Sequence, residues 1–121
     1  MFTIFSFVLF LFEEKKLKTY QTMVKHIVLF KLKESLSTEE KRDIACRFKQ
    51  AIEALPSSIP FIRKIFVGFN INPNEQWDIC LESEFDTLND VEKYSVHPSH
   101  LAAAAILKDY KKERACTDYE C

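Results

Sequence analysis

The chain has 121 residues, of which 47% are hydrophobic, and a formal net charge of −1, which suits one domain with a single core. Its lysines and arginines form no run longer than two, so neither nucleic acid nor an acidic membrane surface is an expected partner. The single glycine, Gly68, excludes the glycine-rich loops on which nucleotide sites are usually built.

Residues 1–12 (MFTIFSFVLFLF) are apolar except for Thr3 and Ser6. This run is shorter than the roughly 20 residues that span a bilayer, and no basic segment precedes it as in a signal peptide. Met23 stands directly before the first convincing strand, so translation could begin there. We predict that residues 1–22 are an extension outside the fold and that residues 23–121 form the domain. The alternative is an apolar anchor or a docked helix.

The first predicted strand covers residues 24–33 (VKHIVLFKLK), which are rich in β-branched and aromatic side chains. Alternation places His26, Val28 and Phe30 on one face, which we assign to the helix side of a sheet. The other face carries Ile27 and is also apolar at its centre. We therefore expect both faces of this strand to be covered.

An amphipathic helix follows the first strand. Ser37 and Glu40 have the spacing of a capping box, which marks its start. Apolar residues then recur at steps of four and three, namely Ile44, Phe48, Ile52 and Leu55. The helix should end before Pro56, because proline disfavours helical geometry in the residue before it.

Two further strands are predicted at residues 61–70 and 76–85, joined by the turn residues 72–75 (NPNE). The second of them alternates apolar and polar residues almost without fault. This pattern predicts a β-hairpin.

The next helix is predicted to begin after Thr87, which can cap it, with an apolar stripe of Leu88, Val91 and Tyr94. Pro98 is poorly tolerated inside a helix but suits its first position. One helix should therefore stop near residue 96 and another should run from Pro98 to about residue 107.

His97 and His100 flank this predicted break. His100 falls in the first turn of the new helix, where the dipole disfavours a protonated ring, so we expect it to be neutral near pH 7. A neutral imidazole can exchange protons with a ligand. The alternative is that His97 only caps the helix and His100 only packs.

Residues 111–114 are predicted to be solvated, and residues 115–120 to form the last strand. The element order is then β-α-β-β-α-β, the α+β ferredoxin-like arrangement of a four-stranded antiparallel sheet with helices on one face. The apolar opposite face would be an exposed patch in a monomer. We therefore predict a homodimer in which two sheets pack face to face.

The four cysteines contain no C-x-x-C pair, and their spacing matches no usual zinc pattern. They are Cys46, Cys80, Cys116 and Cys121. A reducing, cytoplasmic environment is expected, without a metal site.

Four segments resemble the stress-responsive A/B barrel (Dabb) family. They are residues 24–31 (VKHIVLFK), Val67-Gly68, the motif Tyr94-x-x-His97-Pro98-x-His100, and Asp118-Tyr119-Glu120. The likeness spans residues 23 to about 120 and implies a dimeric α/β barrel. Most members of that family have no assigned activity.

One plant member of this family closes a linear polyketide by an aldol condensation without a cofactor. Its catalytic residues are a first-strand histidine, a tyrosine before the histidine-proline motif, and the second histidine of that motif. The resemblance therefore implies His26, Tyr94 and His100 as catalytic residues here, with no cofactor. Ligand contacts are expected from Val28, Phe30, Phe48, His97 and Leu101.

The sequence is compatible with two functions. One is cofactor-free acid/base chemistry on a small hydrophobic carbonyl or aromatic compound, with His100 as the base and Tyr94 or His26 stabilising the oxyanion. The other is a non-enzymatic stress-induced binding or interaction module.

Overall fold

The computed structural model describes residues 22–121, so the predicted extension at residues 1–22 lies, except for Thr22, outside the described residues. The described elements follow the order β-α-β-β-α-β, with the second helix divided in two. They are β1 (Val24–Leu32), α1 (Thr38–Glu53), β2 (Lys64–Phe69), β3 (Ile79–Phe85), α2 (Leu88–Val96), α3 (Pro98–Ala104) and β4 (Lys111–Glu120). Short 3₁₀ turns at Leu55–Ser57 and Ala105–Leu107 follow α1 and α3.

The four strands form one antiparallel sheet in the order β2-β3-β1-β4, which confirms the predicted ferredoxin-like fold. β1 lies between β3 and β4, and its Val28 is opposite both Leu81 and Cys116. Side chains alternate along β1, so His26, Val28 and Phe30 are buried on one face. The central strand thus carries a histidine into the core.

The capping box predicted for α1 is present. Ser37 Oγ accepts the Glu40 N–H at 3.1 Å, and Glu40 Oε1 accepts the Ser37 N–H at 3.0 Å. One face of α1 is buried through Ile44, Ala45, Phe48 and Ile52. The helix ends at Glu53, before Pro56 as predicted.

The break in the second helix also lies where the sequence predicts it. Thr87 Oγ1 accepts the Asp90 N–H at 3.1 Å and begins α2. His97 is extended, with φ −65° and ψ 135°, and Pro98 is the first residue of α3. Proline excludes helical geometry from the residue before it, so the chain changes direction at His97.

Several details of the helices and strands differ from the prediction, and β2 and β3 each begin three residues later than predicted. Leu88 is 52% exposed, because α2 is buried only through Val91 and Tyr94. Residues 111–114 are exposed but belong to β4, which pairs with β1 from Lys111 onwards. β4 lies at the sheet edge, where charged side chains are common and conceal the strand pattern.

The sheet face opposite the helices has no cover within residues 22–121. Phe66 on this face is 42% exposed, and Ile27 and Leu29 are partly exposed. Two depressions of about 60 and 140 Å³ lie on this face, and Ile27 lines both. We call this surface the open face. Among the same residues, no helix is long and apolar enough to cross a membrane.

Candidate functional site

A cavity of about 100 Å³ lies between the sheet and the helices. Its lining combines apolar side chains with a few polar groups, the usual composition of a small-molecule site. The lining residues are His26, Val28, Phe30, Phe48, Leu81, Tyr94, Ser95, His100, Ala104, Leu107, Lys111 and Arg114.

His26 enters the cavity from β1 and is held by β4. Its Nδ1 lies 2.6 Å from Asp118 Oδ1, because the strand register places the two residues opposite each other. A carboxylate oxygen only accepts, so Nδ1 is the donor in this bond. Nε2 of a neutral His26 ring is then left as an acceptor.

Tyr94 enters from α2 and is fully buried, with 0% exposure. Its ring centroid lies 4.3 Å from that of His100 and 6.0 Å from that of His26. Its hydroxyl has no hydrogen-bond partner among residues 22–121. Burial raises the pKa of Tyr94 well above its ordinary value, so the hydroxyl keeps its proton and can donate it in a hydrogen bond.

His100 lies on α3 and reaches back across the helix break. Its Nδ1 is 3.0 Å from the Ser95 carbonyl oxygen, which only accepts, so Nδ1 carries the proton and Nε2 is free to act as a base. Burial lowers the pKa of His100 most, the hydrogen bond to Ser95 opposes this effect, and the nearby His26, Arg114 and His97 lower the pKa further. The predicted neutral ring therefore owes its state mainly to burial.

Further polar residues beside the cavity lie on β4. Lys111 and Arg114 line the cavity, and Cys116 Sγ lies 3.6 Å from His26 Nδ1. Burial raises the pKa of the Cys116 thiol first, and Asp118 raises it further. Cys116 is therefore a neutral thiol near pH 7.

His26, Cys116 and Asp118 are also the residues that could hold a metal ion, since one ligand atom of each lies within 4.8 Å of the others. The Nδ1–Oδ1 distance of 2.6 Å does not fit a shared ion, because two ligands on a tetrahedral zinc lie about 3.3 Å apart. A direct hydrogen bond explains this arrangement. The donor set therefore does not fit a resident metal in this geometry.

Comparison with known proteins decides the family. Residues 24–121 match the model of the Stress responsive A/B Barrel Domain, Dabb. The chain belongs to the Dabb family. A dimeric protein of unknown function with a ferredoxin-like fold, from Bacteroides fragilis, shares 57% identity with this Dabb chain and a TM-score of 0.80. That match covers 82% of this chain and 96% of the other.

Two relatives with named activities are more distant. Olivetolic acid cyclase from Cannabis sativa is 22% identical over 99 residues, or 79% of this Dabb chain and 94% of the cyclase. Hydroxynitrile lyase from Passiflora edulis is 19% identical with a TM-score of 0.63, over 82% of this chain and 93% of the lyase. The structural likeness to the lyase shows the common fold.

Six of the eight predicted site residues of this Dabb domain line one cavity. These are His26, Val28, Phe30, Phe48, Tyr94 and His100. His97 and Leu101 were also predicted to contact ligand, but neither is among the residues that line this cavity. Leu101 is 54% exposed, and the His97 side chain caps α3.

Replacing His97 with alanine is expected to lower the free energy of unfolding by about 0.5–2 kcal/mol, the usual cost of a lost N-cap. His97 Nδ1 accepts the Ser99 N–H at 3.1 Å, and alanine cannot replace that acceptor. Urea denaturation measures the change. His97→Asn, which keeps a side-chain acceptor, should recover most of it. Equal loss in both variants would contradict the capping role.

Sequence analysis missed Asp118, Lys111 and Arg114 as site residues. The alternation of Arg114, Cys116 and Asp118 along β4 places all three on the helix side of the sheet, opposite Phe30, Val28 and His26. That alternation is readable once β4 is extended back to Lys111. The register that joins Asp118 to His26 is a long-range pairing, which local patterns do not reveal.

Proposed function

We propose that this Dabb domain is a homodimer whose cavity binds a small carbonyl compound and transfers a proton next to that carbonyl without a cofactor. The main support is that Tyr94 lines the cavity and that its buried hydroxyl has no hydrogen-bond partner among the described residues. A buried hydroxyl left unpaired costs about 1–3 kcal/mol, and a ligand carbonyl oxygen would satisfy it. The names of the two distant relatives, a cyclase and a lyase, also favour an enzyme.

The geometry supports different tasks for two of the polar side chains, His100 and Tyr94. His100 Nε2 removes a proton from the carbon next to the carbonyl, and the electrons of the broken C–H bond form the enolate. Tyr94 donates its O–H to the developing oxyanion. His26 suits that second task less well, because its Nδ1 proton is already donated to Asp118. The proton on His100 then returns to the product.

Replacing Tyr94 with phenylalanine tests the proposal directly. We expect about a tenfold loss of affinity for a ketone such as cyclohexanone, because one buried hydrogen bond of about 1.4 kcal/mol disappears. The free energy of unfolding should stay equal or rise by about 1 kcal/mol, because an unpaired polar group has been removed. NMR titration and urea denaturation measure the two effects.

Methylenecyclohexane is the matched control ligand for this variant. It has the shape of cyclohexanone but no carbonyl oxygen, so Tyr94→Phe should not weaken its binding. If the variant binds cyclohexanone as well as the unaltered protein does, the Tyr94 hydroxyl does not contact a ligand carbonyl and the proposed function fails.

The homodimer is supported by the open face and by relatives. The Bacteroides fragilis structure and one from Thermobifida fusca are both described as dimeric ferredoxin-like proteins. Ile27 lies at the centre of the open face, on β1, and lines both of its depressions. A second copy packed there would remove Ile27, Leu29 and Phe66 from water.

Replacing Ile27 with glutamate is expected to convert the dimer to a monomer, because a carboxylate would be buried without a partner. Sedimentation velocity at micromolar concentration measures the change. Ile71→Glu is the control, since Ile71 is 95% exposed and lies outside the strands. An unaltered chain that sediments as a monomer would refute the dimer.

The size of the cavity favours a second candidate, a non-enzymatic binding or interaction module that acts in stress. Sites for drug-sized ligands measure about 300–1,000 Å³, and this cavity is about 100 Å³. Carbonyl binding without hydrogen exchange would favour this module over the enzyme.

A further inference from the structure

The lining of the cavity includes two cationic side chains. Lys111 and Arg114 both line it from β4, where Arg114 is opposite Phe30 and Lys111 is opposite Leu32. No aspartate or glutamate is among the lining residues. The permanent charges on the cavity wall are therefore all positive.

Neither cation is neutralised by the surrounding protein. Within residues 22–121, no carboxylate lies within 4.0 Å of the side-chain nitrogens of Lys111 or Arg114. The adjacent Lys112, by contrast, pairs with Glu34 at 3.1 Å, outside the cavity. Asp118 is on the same face of β4, but its Oδ1 is bonded to His26.

The charge of Arg114 affects the pKa values of Tyr94 and His100, the two residues proposed to act on the ligand. It lowers the pKa of Tyr94 against the larger effect of burial, and it contributes to the lowered pKa of His100. Arg114, Tyr94 and His100 also line the same cavity, so an anion bound there beside Arg114 would lie near both side chains. Guanidinium binds carboxylate through two parallel N–H bonds, which fixes the orientation of the ligand.

We propose that the cavity takes a small keto acid, whose carboxylate pairs with Arg114 and Lys111 while its ketone oxygen accepts the Tyr94 hydroxyl. This inference rests on the proposed function and specifies its substrate class. A cavity of about 100 Å³ suits such a compact molecule, in which the anion and the ketone are only a few bonds apart. The carboxylate would also hold the ketone in one orientation toward His100.

Binding of matched acid and amide probes to the full chain tests the inference. The pairs are 4-oxopentanoate with 4-oxopentanamide, and 2-oxobutanoate with 2-oxobutanamide, which differ in charge but little in shape. In at least one pair we expect the acid to bind about tenfold more tightly than the amide, since hydrogen bonds between charged groups are the stronger ones. The difference should shrink as salt is added.

Three variants test which side chain causes the tighter binding of the acid. Arg114→Gln and Lys111→Gln should each weaken binding of the acid, Arg114→Gln by about tenfold, and leave the amide unchanged. Lys112→Gln removes the same charge one residue away from Lys111, outside the cavity, and should change neither affinity. Inorganic phosphate is included as a competitor, and it should displace the keto acid only weakly.

The outcomes separate this inference from the proposed function. Equal affinities for acid and amide would contradict the proposal that the cavity binds a keto acid, and so would an Arg114→Gln variant that binds the acid normally. Both results leave the proposed carbonyl site intact. Phosphate binding as tight as that of the acids also overturns it, since the cations would then bind any anion. If no acid and no amide binds, the carbonyl site fails, and the keto acid fails with it.

Discussion

Replacing His100 with alanine is expected to slow hydrogen exchange next to the carbonyl of a bound ketone by about 10²–10⁴-fold, the usual contribution of a general base. The Ser95 carbonyl holds the Nδ1 proton, so Nε2 is the nitrogen that takes the substrate proton. Deuterium incorporation from D₂O, followed by NMR, measures the rate. Affinity for the ketone should change little, because Tyr94 still holds the carbonyl oxygen.

The matched control is His97→Ala, which removes a histidine outside the cavity. Its exchange rate should stay within about twofold of the original once the lower stability is allowed for. If His100→Ala exchanges hydrogen normally, His100 is not the base. If His97→Ala is the slow variant, the sequence-based assignment of His97 to the ligand site is favoured over the cap.

The lowered pKa of His100 also sets the direction in which the exchange rate depends on pH. Burial lowers the pKa of His100 from its ordinary value of 6.5, so the basic ring persists below pH 6.5. The exchange rate should be retained through pH 6.5 and be lost as pH falls through the lowered pKa. The free energy of unfolding also decreases as pH falls below 6.5, because His100 takes up its proton at a higher pH in the unfolded chain than in the folded one. His100→Ala should remove this part of the pH dependence of stability.

The largest expected effect on stability is that of Phe85→Ala, about 3–5 kcal/mol less free energy of unfolding. Phe85 is 0% exposed at the end of β3, and its ring centroid lies 5.1 Å from that of Tyr94 and 6.4 Å from that of His26. Alanine would leave a cavity beneath both site residues. Urea denaturation at fixed protein concentration measures the loss, since dimer stability depends on concentration.

Leu88→Ala is the control for this substitution. Leu88 is exposed at the first position of α2, so its truncation should change the free energy of unfolding by no more than about 0.5 kcal/mol. A Phe85→Ala protein as stable as the original would mean that the ring does not support the core below the site.

The fold was largely readable from local patterns. The alternation around Val28, the capping box at Ser37 and the break at Pro98 each arise from interactions within a few residues, and all three are present in the structure. The start of β4 was misread because its charged residues face water at a sheet edge. Leu88 was predicted to belong to the buried stripe of α2 but is exposed. Residue spacing shows which side chains share a face of a helix, but not which of them reach the core.

The candidate site could be predicted only in part. The resemblance to the Dabb family supplied His26, Tyr94 and His100, which line one cavity. The bond from His26 to Asp118 spans 92 positions and depends on the β1–β4 register. No local pattern reports such a pairing, so Asp118 was named only as part of a motif. Residues 111–114 were predicted to be solvated and are exposed, but the same long-range pairing also places Lys111 and Arg114 beside the cavity.

The break at His97 determines how close two side chains of the cavity come to each other. In one unbroken helix, residues six positions apart point about 120° away from each other and are separated by about 9 Å along the axis. Tyr94 and His100 have that spacing, yet their ring centroids are 4.3 Å apart. The discontinuity brings the two rings into contact, with their planes tilted by 45°. A homologue that carried both aromatic residues on one continuous helix would therefore not bring the two rings together.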